Sequence, residues 1–127
     1  MRTIIAAAAI IVGMGTAAQA ANVGSAPTFG GPTQAVAVCY YSVLGPQTVT
    51  FSSSVVLGEP GTPLAEASEF CGGAIAPGNR CRTVTGSIVG FNGALWCRAV
   101  VDTKAGLRGR LEIRNSSGEI LTSQDIN

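Results

Sequence analysis

The sequence predicts an all-β domain, a small sandwich of six to seven antiparallel strands held by two disulfides. Three observations carry that expectation. Short runs rich in Val, Ile, Thr, Tyr and Phe alternate with Gly/Pro/Asn/Ser turns. No segment sustains the 3.6-residue apolar period of a long helix. The chain holds 4 cysteines and no histidine, which favours disulfides over zinc. Short strands that each bury one face have few stable solutions, and packing two sheets face to face is the natural one. A small barrel is the alternative.

The elements follow in order. Val36, Val38, Tyr40, Tyr41 and Val43 form the first expected strand, ended by Gly45 and Pro46. Residues 47–57 form the next, with Val49, Thr50, Phe51, Val55 and Val56. Residues 58–63 contain two prolines and two glycines and read as a loop. Residues 64–70 fit either one helical turn or a short edge strand. Residues 82–91 and 95–102 are expected strands around a turn at Asn92 and Gly93. The clearest alternation is at 107–114. Leu107, Gly109, Leu111 and Ile113 face one way, while Arg108, Arg110, Glu112 and Arg114 face the other. Asn115, Ser116, Ser117 and Gly118 suit a type I turn closed by a left-handed glycine, with residues 119–126 returning. Arg114 and Glu119 are then expected opposite each other.

The N-terminus points to export. Met1 and Arg2 precede an uncharged apolar run, and Ala18, Gln19 and Ala20 supply the small-x-small pattern of a signal-peptidase site. Residues 1–20 therefore read as a signal peptide, and the apolar run is shorter than the about 20 residues a membrane span needs. Residues 21–32, rich in Gly, Pro, Ser and Ala, are expected to be a flexible leader, and residues 33–127 the sandwich. The expected location is secreted or periplasmic, with no membrane span after cleavage. Without Arg2, seven Lys and Arg balance seven Asp and Glu. A polyanion binder would call for a marked basic excess, and no nucleic-acid partner is expected.

The cysteines are Cys39, Cys71, Cys81 and Cys97. Four in an exported chain imply two bridges among three connectivities. The turn at Pro77 and Gly78 can bring Cys71 and Cys81 together, which leaves Cys39 with Cys97 to tie an early strand to a late one. If the second bridge lies inside the sandwich, Tyr40 and Trp96 both point away from it, since neighbours on a strand face opposite sides. With Val38 and Val100 of the same parity, they are the expected partner-facing surface. The competing outcome is that either ring is covered by the leader, the 58–70 loop or a bulge.

Residues 71–81, with two cysteines framing an apolar residue and Ala76, Pro77 and Gly78, resemble bacterial Ig-like domains related to the abnormal-spindle and hydin repeats. The chain is also similar to a set of small secreted bacterial proteins of unassigned function. The Cys39, Tyr40 and Tyr41 strand before Gly45 and the hairpin at 107–118 carry that likeness. Leu44 stands where such proteins often have Asn. The resemblance covers most of 36–126, implies an Ig-like sandwich, and assigns no activity. Trp96 adjoins Cys97 instead of lying on a strand between bridged cysteines, which sets the chain apart from antibody-type domains.

No catalytic constellation emerges. Without histidine, Ser-His-Asp and Cys-His machineries are absent. Lys104, the one lysine, sits in a turn. Glu59, Glu66 and Glu69 cluster in sequence without a pattern that fixes their geometry. No phosphate loop, calcium loop or metal-ligand spacing occurs, so no cofactor or metal is expected. Arg108, Arg110 and Arg114 on one strand face could meet a sulfated or phosphorylated glycan, but with Glu112 among them they read first as a wet sheet face. The expected function is an exported, non-enzymatic structural or interaction module for an extracellular or periplasmic macromolecule. The alternative is a binding protein or inhibitor of an enzyme or glycan, acting through its loops.

Overall fold

The computed structural model describes residues 20–69 and 71–127. Most of the expected signal peptide, and Phe70, lie outside these residues. The described chain is all-β. It forms ten strands: β1 (Ala21–Gly24), β2 (Val36–Val43), β3 (Val49–Gly58), β4 (Thr62–Pro63), β5 (Glu66–Glu69), β6 (Gly73–Ile75), β7 (Arg80–Thr85), β8 (Leu95–Val101), β9 (Leu107–Arg114) and β10 (Ile120–Ile126). The six longest fall within the runs expected as strands, apart from Gly58 of β3 and the first two residues of β7. The other four have four residues or fewer, which is why six to seven were expected and ten are found.

Two antiparallel five-stranded sheets result. One, the β3 sheet, runs β1-β8-β3-β4, with β6 also pairing β3. The other, the β2 sheet, runs β10-β9-β2-β7-β5. Their inner faces share one core, in which Ala37, Cys39, Tyr41 and Val43 of β2 meet Val49, Phe51 and Val56 of β3 and Leu95, Cys97, Ala99 and Val101 of β8. Tyr41 and Phe51 pack edge to face, ring centroids 5.1 Å apart. The alternation of β3 breaks at Ser52 and Ser53, where a bulge shifts the register against β8.

Both expected disulfides form. Cys39–Cys97 joins β2 to β8 and thus one sheet to the other, while Cys71–Cys81 closes a local loop. Three polar links accompany them. Ser54 of β3 and Thr83 of β7 share a buried hydroxyl bond of 2.7 Å across the sheets. The Thr85 hydroxyl accepts the Ala37 N–H within the β2 sheet. Buried Gln34 accepts the Gly30 N–H and donates to the carbonyls of Phe91 and Gly93, which pins two loops that no strand pairing holds.

Several expectations are corrected. Residues 21–32 are not a loose leader. Their first four pair with β8, Val23 is buried, Ser25 bridges Ile126, and Thr28 and Leu95 exchange backbone bonds of 2.8 Å. These contacts are made by backbone groups, so Gly- and Pro-rich composition gave no strand signal. The strand expected at 82–91 stops at Thr85, because the chain turns at Gly86 to deliver the Ile88 N–H to the Ala35 carbonyl. Residues 66–69 resolve as a bulged edge strand on β7. At the last hairpin Gly118 has φ +82°, and its N–H bonds the Asn115 carbonyl as the turn requires. A bulge after Ile120 places that residue, and not Glu119, opposite Arg114.

Candidate functional site

Cys39 and Cys97 belong to different sheets, and that decides where their neighbours point. On β8, Leu95, Cys97 and Ala99 face the core, so Trp96, Arg98 and Val100 face out from the β3 sheet. On β2, Cys39 and Tyr41 face the core, so Val38, Tyr40 and Ser42 face out from the β2 sheet. Tyr40 and Trp96 therefore both turn away from the bridge, but onto opposite faces of the sandwich. They share no surface, and neither do Val38 and Val100. Both rings are half-buried. On sequence alone the parity of each residue is readable, but the sheet to which its strand belongs is not.

The structure assembles around Tyr40 a group that the sequence did not. The register sets Tyr40 between Arg82 of β7 and Arg110 of β9, and sets Ser42 between Arg80 and Arg108. All four arginines are exposed. Strands lie about 4.8 Å apart and residues two apart on a strand about 7 Å apart, so the four Cα positions mark a rectangle of roughly 10 by 7 Å. Tyr40 and Ser42 occupy its midline. Shallow depressions flank Tyr40 on the two sides, of about 380 Å³ beside Arg80 and Arg82 and about 150 Å³ beside Arg108 and Arg110.

Arg114 plays a different part. Its guanidinium binds Glu112 at 2.6 Å and donates to the Tyr40 hydroxyl at 3.4 Å. The hydrogen bond to Glu112 raises the Arg114 pKa above its ordinary value. Glu112 is only 8% exposed and Val38 5%, although neither belongs to the inter-sheet core. This half of the outer face is thus a small packed layer that supports Tyr40. The wet face expected with Glu112 among the arginines is wet only at Arg108 and Arg110.

Arg80 and Arg82 were missed by sequence reasoning. The available signal was local: they flank Cys81, so an inward Cys81 turns both outward. Nothing local says that β7 pairs with β2. The chemistry of this face is multipoint recognition. It offers planar donors that can each bind an oxyanion through two N–H groups, a fixed aromatic ring and a hydroxyl. Glu59 accepts the Ala94 N–H at a loop, and Glu66 and Glu69 lie on edge strand β5. Among the described residues no group of three or more Cys, Asp or Glu could hold a metal ion, and no helix is long and apolar enough to cross a membrane. No protein-family model, curated protein or solved structure matches the chain.

Proposed function

We propose that this protein is an exported, non-enzymatic interaction module that recognises another macromolecule through the outer face of its β2 sheet. The observation that carries the reading is the convergence of Arg80, Arg82, Arg108 and Arg110, from two strands distant in sequence, on Tyr40 and Ser42. Arg80, Arg108 and Arg110 have no ion-pair partner among the described residues, and like charges on one sheet face repel, so placing them together calls for another reason. Export is supported by the N-terminal signal pattern and by two bridges, which persist in oxidising compartments. Ala21, the residue after the expected cleavage point, already pairs with Val101, so the mature chain would enter the sheet at its first residue.

Site-specific photocrosslinking in the producing cell tests the reading. A benzophenone amino acid at Ser42 probes the proposed face, and one at exposed Ser53 probes the outer face of the β3 sheet. Adducts should form from position 42 and not from position 53. Equal yields from both positions, or none from position 42, would overturn the assignment.

A further inference from the structure

We propose that the arginine rectangle binds an anionic polysaccharide through phosphate or sulfate ester groups. This inference rests on the outer face of the β2 sheet being a recognition surface, and it names what that surface takes. Of the seven cations beyond residue 20, five lie on this face, Arg98 faces out from the other sheet, and Lys104 lies in the loop before β9. The acidic groups facing it neutralise it only in part. Glu112 is committed to Arg114. Asp125, opposite Arg110 on β10, forms no ion pair with it. Glu66 and Glu69 lie on β5 beside β7, and Glu66 and Arg82 each make a further interaction, so Arg82 is not a free cation. Arg80, Arg108 and Arg110 are left exposed without a partner among the described residues, and Arg82 completes the rectangle.

Four features select the ligand. Guanidinium groups bind the oxyanions of phosphate and sulfate in planar, paired hydrogen bonds better than ammonium groups do, and every cation of the rectangle is arginine. The two rows lie on either side of a midline carrying Tyr40 and Ser42. The ring can take the apolar face of a sugar, and the hydroxyl can bond its polar edge. The depressions are open and shallow, which suits a chain lying across the sheet better than an enclosed small molecule. A single-stranded nucleic acid would want a series of aromatic platforms for successive bases. This face has one ring on its midline, Tyr40.

Titration calorimetry on the purified exported protein, disulfides intact, tests the proposal. The probes are a heparin dodecasaccharide, an oligomer of glycerol phosphate, uncharged dextran and a single-stranded oligodeoxynucleotide. Binding of either anionic oligomer, with none of dextran, is expected, and which one binds tells sulfate from phosphate. The pair Arg80→Gln/Arg108→Gln should weaken that binding at least tenfold. Arg98→Gln, which removes a charge from the outer face of the β3 sheet, should change it less than twofold. Affinity should also fall steeply with added salt. The proposal is overturned if neither anionic oligomer binds, if Arg98→Gln loses as much as Arg80→Gln/Arg108→Gln, or if the oligodeoxynucleotide binds as tightly as the oligosaccharides. Adducts from position 42 without binding of either oligomer would sink this inference and leave the recognition face standing.

Discussion

Removing each disulfide by paired Cys→Ala substitution should destabilise the domain unequally, and the structure sets the size of the difference. Cys39–Cys97 spans 58 residues of sequence and Cys71–Cys81 spans 10. The loop-entropy model assigns about 4.2 kcal/mol to the first and about 2.7 kcal/mol to the second. All four cysteines are buried, between 0% and 5% exposed, so the packing lost with the sulfurs is comparable and largely cancels in the comparison. The remaining gap is about 1.6 kcal/mol, roughly a factor of 14 in the folding equilibrium. Urea unfolding of Cys39→Ala/Cys97→Ala and Cys71→Ala/Cys81→Ala, beside the intact protein, reads it. Both variants should also show a steeper denaturant dependence, because an uncrosslinked unfolded chain exposes more surface. The short-bridge variant should keep a cooperative transition whose midpoint lies well above that of the long-bridge variant. Equal midpoints, or the reverse order, would show that strain or unfolded-state structure outweighs chain entropy here.

Two further expectations concern the interior. The Tyr41 hydroxyl is buried and has no hydrogen-bond partner among the described residues, and burial drives its pKa up, with nearby Ser54 offsetting part of the rise. The unfolded phenol titrates near 10.0, so above that pH the unfolded chain sheds a proton that the folded chain keeps. Stability should then fall by up to about 1.4 kcal/mol per pH unit, with no such contribution below pH 10. Tyr41→Phe should flatten this alkaline limb at no cost at pH 7, and parallel unfolding profiles for the two proteins from pH 9 to 11 would refute the account. Ser54→Ala should cost about 1–3 kcal/mol, since it strands the Thr83 hydroxyl in a dry site, and Ser54→Ala/Thr83→Val should recover part of that loss. An additive double mutant in thermal melts would show that the bond does not couple the sheets.

Legibility in the sequence followed the kind of force that holds each part. β2, β3, β8 and β9 were readable because their side chains largely alternate between a packed and an open face, which is local, and β10 because the turn at 115–118 returns the chain beside β9. β1, β4 and β6 were not, because backbone hydrogen bonds hold them to partners far along the chain. Only Val23, among the residues of β1, is buried as an anchor. The disulfide pairing was readable because a Pro-Gly turn closes one loop and elimination supplies the other. At the site, parity correctly turned Tyr40 and Trp96 away from the bridge. It could not say that the bridge crosses between sheets, which is a statement about topology.

The same limit explains the arginines, and there it changes the functional reading. Equal numbers of cations and anions beyond residue 20 argue against a polyanion partner only if the charges are mixed in space. They are not. Two arginines precede β8 in sequence and two follow it, and they meet only because β7 and β9 flank β2 in one sheet. Register is what makes the group, since sliding either neighbour by one residue along β2 would turn its arginines into the core and its core residues outward. The inter-sheet packing of Leu111, Thr83 and Cys81 therefore holds the rectangle in place as firmly as it holds the fold. The electrostatic cost of holding Arg80, Arg108 and Arg110 together is borne by a core that allows no other register. An oxyanion ligand would remove that cost on binding, so it should raise the melting temperature of the intact protein and leave that of Arg80→Gln/Arg108→Gln nearly unchanged.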